Sequence, residues 1–438
     1  MKKIIAVIIS AALLFSVCGT ISGCKKKDSE VVRIARWSNE TDEPRLKAWT
    51  AEFEKSNPDI KIEWEFKEYG THFSTMRNDL IGESAADIIF LNNWGLSRLN
   101  LQEKDKKMFV DFSKTEELKE TRESIMPSAK DKMKIGDAVI GMPIGLVTRV
   151  PVINATIWEN VSESALEGGI PYNRTEAFTG KEFVGLMKSV GADQNILMGL
   201  NVSHNEALHM FLGSVGAPMI NQDGTIGCNN EAGWKAAQQF KEFVRSGWVV
   251  PYSESGGGTY GSVENAILNE KCLAGWGNFA TLTNLTDYYK SSGTKIATIA
   301  PFKAEDITLR DGTVIKAKDI AYGDYNALVV PSFSKNQEKA FRIIKWMLTK
   351  EQQLKYAKIA DIPVNAEAFG VVSENSDGEW DPMLYSSYKI GLDNLYVAPI
   401  TSSEFANHFS TYFSKLCNDA SFSGKEFCAK MAEGAKYL

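Results

Sequence analysis

The residue types that most often carry out chemistry are present in this sequence, but they do not form a catalytic pattern. Residues 256–261 have the glycine spacing of a nucleotide-binding loop, yet residues 251–255 before them do not form the apolar strand which that motif requires. His204 and His209 lack the spacing of a helical zinc site, and Ser214 lacks the glycine two positions earlier that a nucleophile elbow needs. We therefore expect no metal, no cofactor and no catalytic residue.

Aromatic and amide side chains follow two predicted strands at the points where these strands end. Residues 31–35 form an extended apolar run followed by Trp37, and residues 87–91 form a second run followed by Asn93 and Trp94. An indole can cover the C–H face of a sugar ring, while amides donate to its hydroxyl groups and accept from them. A single tryptophan is more often part of a core than of a binding site, but two on equivalent turns of one sheet make sugar binding an equal alternative to a core role.

The surrounding elements predict how these side chains are brought together. Predicted strands at 31–35, 60–66 and 87–91 alternate with amphipathic helices that begin near Asp42 and His72. This β-α-β-α-β order predicts a parallel sheet with helices on both faces. Because ligands bind outside the carboxyl ends of such strands, we expect the indoles and amides to face one crevice.

Two later helices are predicted to begin at capping boxes. Thr179 is followed three residues later by Glu182, and Ser334 is followed in the same way by Gln337. In each case the pair stands just before a run with apolar residues at helical spacing, which is typical of a helix N-terminus. The alternation of strands and helices in the first part of the chain is therefore predicted to continue through its middle and later parts.

The size and charge of the chain limit the classes of function. Its 438 residues predict two domains, possibly three, and 44% hydrophobic with 24% charged residues is an ordinary globular composition. The formal net charge of −6 provides no concentrated basic surface for phosphates. We therefore expect no nucleic acid partner.

The N-terminus has the layout of a bacterial lipoprotein signal. Two lysines precede an apolar run at 4–17, which is too short to span a membrane as a helix. An aliphatic residue, two small residues and then Cys24 resemble a lipobox, in which the cysteine is lipidated and becomes the mature N-terminus. We therefore expect residues 1–23 to be removed, and residues 24–30 to form a lipid-anchored tether on the outer face of the cell membrane.

Of the six cysteines, Cys18 would leave with the signal and Cys24 would carry lipid, so four remain, at Cys228, Cys272, Cys417 and Cys428. No Cys-x-x-Cys motif is present, so neither zinc nor thioredoxin chemistry is indicated. Disulfides can form outside the cytoplasm, and Cys417 with Cys428 is the pair favoured by proximity along the chain. Free buried cysteines remain the alternative.

Five stretches, in order, resemble the solute-binding lipoproteins of ABC importers, the large extracellular family typified by maltodextrin-binding protein. Residues 86–90 resemble the family's strand that ends at the ligand cleft, and residues 136–143 resemble its segment before the first crossover. Residues 152–158 resemble the strand and helix start that follow, and residues 264–279 resemble a run ending in Gly-x-Trp. Residues 327–363 resemble a strand followed by a two-part helix.

This resemblance implies a two-lobed, periplasmic-binding-protein-like α/β fold of type II. Each lobe would contain a mainly parallel sheet flanked by helices, and the ligand would lie between the lobes. The implied hinge crossovers lie near 145–150, 320–326 and 370–382. The N-terminal lobe would comprise residues 31–147 and 323–375, and the C-terminal lobe residues 148–322 and 376–438.

Carried over residue by residue, the resemblance implies a set of ligand-binding side chains at the cleft. They are Trp37, Asn93, Trp94, Thr148, Arg149, Trp276, Phe279, Tyr322, Tyr325 and Asp361. The sequence departs from the family at two of these places. The family's Gly-x-Trp reads Gly277-Asn278-Phe279, so the stacking ring is Phe279 or Trp276, and Val152 replaces the usual tyrosine near the first crossover.

The implied function is non-enzymatic capture of a carbohydrate, in the simplest case an oligosaccharide, by a monomer that delivers it to a membrane permease. Aromatic stacking would provide affinity, and hydrogen bonds would select the sugar. One alternative is the same fold binding a polyol, a glycerophosphodiester or a peptide. Another is a surface glycoside hydrolase, because paired carboxylates need no local motif.

Overall fold

The computed structural model describes residues 30–37, 42–99, 101, 103–161, 174, 176–194, 199–254, 267, 271–277, 293–374, 395–397, 399 and 401–438. The predicted signal and, apart from Glu30, the predicted tether with Cys24 lie outside these residues. The glycine-spaced loop at 256–261 and Phe279 also lie outside them.

Short and long strands alternate with helices along the described chain. The strands are β1 (Glu30–Trp37), β2 (Ile60–Lys67), β3 (Ile88–Asn92), β4 (Lys134–Ile135), β5 (Ala138–Val139), β6 (Met142–Thr148), β7 (Val150–Asn154), β8 (Phe178–Thr179), β9 (Leu200–Asn201), β10 (Ala274–Gly277), β11 (Ile296–Thr298), β12 (Phe302–Lys303), β13 (Ile307–Thr308), β14 (Val314–Ile315), β15 (Ala321–Val329), β16 (Ile362–Pro363) and β17 (Leu395–Val397). The α-helices are α1 (Asp42–Ser56), α2 (Tyr69–Ile81), α3 (Asn93–Arg98), α4 (Lys119–Glu123), α5 (Ala155–Glu159), α6 (Gly180–Asp193), α7 (His204–Ser214), α8 (Glu231–Val244), α9 (Gln337–Met347), α10 (Lys350–Ala357), α11 (Ala366–Glu374), α12 (Ser403–Asn418) and α13 (Gly424–Glu433). None of the described helices is both long enough and apolar enough to cross a membrane.

The N-terminal lobe is built on a seven-stranded sheet in the order β16-β6-β15-β3-β1-β2, with β17 paired to β15. The predicted parallel pairing of the first three strands is confirmed, since β1 runs parallel to both β2 and β3. All five residues of β3 are buried, and its four apolar residues (88–91) alternate between two hydrophobic clusters, one on each face of the sheet. Phe53 of α1 belongs to one cluster and Phe73 of α2 to the other, so helices cover both faces as expected.

This sheet is mixed rather than mainly parallel. β15 pairs antiparallel with both β3 and β6, and β16 pairs antiparallel with β6. The reason is the path of the chain: β6 leaves this lobe at its carboxyl end, and β15 returns from the other lobe at its amino end. Two strands that pass through the same connection in opposite senses must run antiparallel when they pair.

The C-terminal lobe contains a four-stranded sheet in the order β11-β7-β10-β9. Here β9 and β10 are parallel, while β7 is antiparallel to β10 and β11. Its core is one continuous cluster in which Phe183, Phe211, Phe240 and Phe302 are almost fully buried. Helices α6, α7, α8, α12 and α13 contribute to this cluster, so the last 36 residues belong to the packing of this lobe.

The two lobes are joined by strands that run from one to the other. Only Arg149 separates β6 of the N-terminal lobe from β7 of the C-terminal lobe. β15 carries Tyr322 in the core of the C-terminal lobe and Tyr325 in that of the N-terminal lobe. β17 pairs with the start of β15. Of the third crossover predicted near 370–382, residues 370–374 lie in α11, and residues 375–382 lie outside the described residues.

Candidate functional site

The carboxyl ends of β1, β3 and β6 and the amino end of β15 lie along one edge of the N-terminal sheet, which faces the crossover strands. Trp37 ends β1 and is half-buried there. Its ring centroid lies 5.6 Å from that of Tyr69, 5.5 Å from that of His72 and 5.3 Å from that of Phe73. These contacts hold the indole in a fixed position at the edge.

His72 supports Trp37 as a neutral ring. Burial lowers the pKa of His72 to about 4, so the imidazole is uncharged at neutral pH. Its Nε2 lies 2.9 Å from the carbonyl oxygen of Phe90, which can only accept, so the Nε2 carries the proton. His72 therefore packs against Trp37 as an uncharged aromatic ring at neutral pH.

Two asparagines follow the end of β3. The Asn92 side chain caps α3, because its Oδ1 accepts a 2.7 Å hydrogen bond from the backbone N–H of Gly95. The backbone N–H of Asn93 donates to Oδ1 of Asp324 over 3.2 Å. The side-chain Oδ1 of Asn93 is buried and has no hydrogen-bond partner among the described residues. Asn92 is therefore structural, and Asn93 presents an unused acceptor.

Thr148, the last residue of β6, presents a second unused polar atom. Its side chain is fully buried, and its Oγ1 has no hydrogen-bond partner in the described part of the chain. The residue pairs with Gly323 of β15, so it lies where the chain passes between the lobes. A buried hydroxyl without a partner costs stability unless another molecule supplies the hydrogen bond.

On the C-terminal lobe, Arg149, Glu206 and Trp276 form one network beside the crossover. Nε of Arg149 donates to Oε1 of Glu206 over 3.2 Å, and Nε1 of Trp276 donates to Oε2 of the same carboxylate over 2.6 Å. Trp276 is only 3% exposed, and its ring lies 5.0 Å from that of Phe302. The indole predicted to stack on a ligand is therefore packed in the lobe, and its stacking role stays a prediction.

Three further predicted ligand contacts are buried behind the edge and bind other parts of the protein. Tyr322 is 5% exposed, and its ring centroid lies 5.1 Å from that of His209. The hydroxyl of Tyr325 donates to the carbonyl oxygen of Ser128 over 2.8 Å. Oδ2 of Asp361 accepts from Nδ2 of Asn326 over 2.8 Å and from the hydroxyl of Tyr356 over 2.9 Å.

Burial determines the protonation of these groups. It raises the pKa values of Tyr322 and Tyr325 and keeps both phenols neutral. It also raises the pKa of the Asp361 carboxyl, an effect opposed by its hydrogen bonds and by the charge of Arg36. His209, buried between tyrosines, has its pKa lowered to about 4 by the same desolvation. The predicted contacts Tyr322, Tyr325 and Asp361 are thus buried among protein groups, and their role as ligand contacts stays a prediction.

Two predicted aromatic contacts cannot be assigned from the described side chains. Trp94 is the second residue of α3, which begins directly after β3. Its backbone therefore lies at the expected edge of the N-terminal sheet. Phe279 lies outside the described residues, two positions beyond the end of β10. Both remain sequence predictions.

Sequence reasoning missed two residues at the corresponding edge of the C-terminal sheet. Asn205 and Glu206 lie in the first turn of α7, which follows the end of β9 after two residues. Oδ1 of Asn205 is buried without a hydrogen-bond partner among the described residues. The signal in the sequence was weak because β9 spans only Leu200–Asn201 and three further residues precede the amide and the carboxylate.

Asn93, Thr148 and Asn205 together offer uncharged oxygens for hydrogen bonds. The unused oxygens of Asn93 and Asn205 can only accept, while the hydroxyl of Thr148 can both donate and accept. Among the described residues, no group of three or more His, Cys, Asp or Glu side chains could hold a metal ion. The arrangement suits a neutral ligand that is rich in hydroxyl groups.

Comparison with known proteins agrees with this architecture. Residues 48–377 match the family model of bacterial extracellular solute-binding proteins. No curated protein sequence matches the chain significantly.

Solved structures with the same fold cover nearly the whole chain. The ABC substrate-binding protein Lmo0181 of Listeria monocytogenes, in complex with cycloalternan, has a TM-score of 0.71 at 16% identity, over 93% of this chain and 98% of that one. The GacH receptor of Streptomyces glaucescens, studied with acarbose, has a TM-score of 0.72 at 15% identity, over 93% and 97%. Maltose-bound MalE3 of T. maritima has a TM-score of 0.71 at 14% identity, over 93% and 99%.

Proposed function

Because the chain belongs to the family of bacterial extracellular solute-binding proteins, we propose that it captures a carbohydrate between its two lobes for an ABC importer. The simplest ligand is an oligosaccharide, and the chain performs no covalent chemistry on it. The observation that carries this proposal is the set of buried oxygens at Asn93, Thr148 and Asn205. They have no hydrogen-bond partner in the part of the chain that the structure describes, and they match sugar hydroxyls. The half-buried Trp37 ring supplies an apolar surface at the same edge of the N-terminal sheet.

The charges near the crossover support a neutral sugar over a phosphodiester. Arg149, the single residue between β6 and β7, is a cation that is already paired with the carboxylate of Glu206. A phosphodiester would have to compete with that carboxylate and would lie near its negative charge. A neutral sugar ligand is also supported by two structural neighbours, since GacH was studied with acarbose and MalE3 with maltose.

Capture would proceed by closure of the lobes about the crossover strands. The connection through Arg149 is one residue long, so rotation there moves both lobe edges without unfolding either sheet. Closure would bring the edge that carries Asn93 and Thr148 towards the edge that carries Asn205. The closed form would then be presented to the permease, with the monomer held at the membrane by lipid on Cys24.

A thermal unfolding screen of residues 24–438 tests the ligand class. We expect oligosaccharides to raise the melting temperature more than polyols, glycerophosphodiesters or peptides, because a ligand at 100 times its Kd stabilises by about 2.7 kcal/mol. An increase with a non-sugar class alone would contradict the proposal. Release of shortened products from an oligosaccharide would instead indicate a hydrolase.

Replacing Thr148 with valine separates binding from stability. Valine keeps the shape but removes the unpartnered hydroxyl, so we expect the free energy of unfolding without ligand to stay constant or to rise by about 1 kcal/mol. We expect the Kd for the ligand to increase about fivefold, since one hydrogen bond of roughly 1 kcal/mol is lost. Urea unfolding and calorimetric titration measure the two quantities.

Thr50→Val is the matched control. Thr50 is equally buried, but its Oγ1 donates to the carbonyl oxygen of Leu46 over 3.1 Å and accepts from Nε1 of Trp64 over 3.0 Å. This variant should lose stability and keep the affinity of the native protein. If Thr148→Val loses stability in the same way without a change in Kd, the hydroxyl at 148 does not contact the ligand.

A further inference from the structure

Two of the four buried cysteines in the C-terminal lobe lie in the same part of its core although they are far apart in sequence. Cys228 and Cys428 are both 0% exposed and belong to one hydrophobic cluster, and the neighbouring Cys228 thiol, together with burial, raises the pKa of the Cys428 thiol. They are separated by 200 positions (428 − 228). All four cysteines among the described residues are thiols. The pair favoured by sequence proximity, Cys417 with Cys428, is not the pair that the fold brings together.

The packing of α13 against α8 explains why Cys428 lies near Cys228. A Cβ atom on Gly424 would lie 2.5 Å from the backbone nitrogen of Gln238, so the start of α13 touches the backbone of α8 directly. Cys428 lies four residues later, on the same face of α13 and about 6 Å further along its axis. Its partner Cys228 lies just before the N-terminus of α8, so α13 runs back along α8 towards it.

Cys228 is held closely against the same helix. A Cβ atom on Gly233 would lie 2.1 Å from the carbonyl oxygen of Cys228, and this close approach is possible only because residue 233 has no side chain. Cys417 lies at the opposite end of α8, where its carbonyl oxygen accepts from Nη1 of Arg245 over 3.4 Å. Since α8 has 14 residues, its two ends are about 20 Å apart. The arrangement therefore selects Cys228 as the neighbour of Cys428.

We propose that Cys228 and Cys428 form a disulfide in the exported protein. The premise is the extracellular location of the family, where disulfides persist, and it does not depend on which solute the chain binds. The two thiols lose two protons and two electrons to form the S–S bond. The electrons reduce the disulfide of a thiol–disulfide oxidoreductase to its dithiol by exchange through a mixed disulfide.

The burial of both sulfurs determines when this reaction happens and what it does. Neither sulfur is accessible in the folded lobe, so oxidation takes place during folding, before α13 closes on α8. The bond would then join the last helix of the chain to the segment that precedes α8. Long-range links of this kind restrict the unfolded chain strongly, so the disulfide would keep the C-terminal helices on their lobe.

Peptide mapping of the exported, full-length mature protein tests the pairing. The protein is denatured in an alkylating agent without reductant and then digested. We expect Cys272 and Cys417 to be alkylated. We also expect one linked pair of peptides that contains Cys228 and Cys428, with a mass two hydrogen atoms below the sum of the two reduced peptides. Alkylation of both Cys228 and Cys428, or a link between Cys417 and Cys428, would overturn the proposal.

A stability comparison provides a second readout. We expect reductant to lower the urea midpoint of the native protein and of the control variant Cys272→Ala/Cys417→Ala. It should leave the midpoint of Cys228→Ala/Cys428→Ala unchanged. An equal effect of reductant on both double variants would overturn the proposal, and the peptide map of the native protein decides the question if a variant does not fold.

Discussion

Replacing Asp361 with alanine is expected to lower the free energy of unfolding by about 4 kcal/mol, the largest effect of any single change considered for this protein. The side chain is 4% exposed, and its Oδ2 holds both the Asn326 amide and the Tyr356 hydroxyl. Without the carboxylate both donors lose their partner, and the buried Arg36 guanidinium loses a nearby negative charge. Breaking such buried, charge-containing networks costs about 3–5 kcal/mol.

Asp361→Asn is the control for this experiment. Asparagine keeps the volume and one acceptor oxygen, so we expect it to lose clearly less stability than alanine. The surroundings of Asp361 are crowded, since a Cβ atom on Gly145 would lie 2.4 Å from the Cβ atom of Asp361. Urea unfolding of the three proteins measures the difference. Equal stability of the native protein and Asp361→Ala, together with a large loss of ligand affinity, would make Asp361 a ligand contact instead.

Gly323→Ala is expected to disturb the crossover between the lobes. Gly323 pairs with Thr148 of β6 on one side and with Val397 of β17 on the other. A Cβ atom there would lie 2.7 Å from the carbonyl oxygen of Val147 and 2.2 Å from Cδ1 of Leu395, so the backbone of a neighbouring strand must move. We expect a loss of about 2 kcal/mol in stability, as for other overpacked sites. We also expect weaker ligand binding, because the displaced strands connect the two lobe edges.

Gly185→Ala is the matched control because it makes the same chemical change where space is available. Gly185 lies on the exposed side of α6, and nothing lies within 4 Å of a Cβ atom placed on it. Alanine there should raise stability by about 0.5–1 kcal/mol through its higher helix propensity, and the Kd should not change. If Gly323→Ala behaves like Gly185→Ala in both urea unfolding and ligand titration, the crossover is not tightly packed at this residue.

Local sequence patterns predicted much of the fold correctly. The three early strands and the helix beginning at Asp42 appear as expected, because continuous apolar runs and helical spacing reflect burial directly. The capping box at Thr179 and Glu182 is also confirmed, since both of its reciprocal hydrogen bonds are present. These features depend only on residues close together in the chain.

Features that depend on distant residues could not be predicted in this way. Ser334 does not form a capping box, because its hydroxyl donates to Oδ1 of Asp87 over 2.6 Å and the N-cap is Asn336. The antiparallel position of β15 depends on its return from the other lobe. The use of Tyr325 and Asp361 inside the protein, through Ser128 and Tyr356, likewise depends on partners that the sequence does not identify.

The structure shows where the predicted site residues lie, and their contacts with a ligand stay a prediction. The strand-end rule correctly placed Trp37 and Asn93 at the edge of the N-terminal sheet. β9 has only two residues and is too short to be recognised from its sequence, so Asn205 and Glu206 were missed. The predicted residues also differ in whether their polar atoms are used within the protein. The hydroxyl of Thr148 has no partner among the described residues, whereas the indole N–H of Trp276 donates to Glu206.

Calorimetric titration of the mature protein with the oligosaccharide that stabilises it most is the most direct test of carbohydrate capture between the lobes. We predict one binding site per chain and a negative heat-capacity change, because closure of the lobes buries apolar surface with the sugar. Thr148→Val should weaken this binding, and Thr50→Val should not. Saturable binding of a non-sugar solute at one site, with no heat from any carbohydrate, would contradict the account.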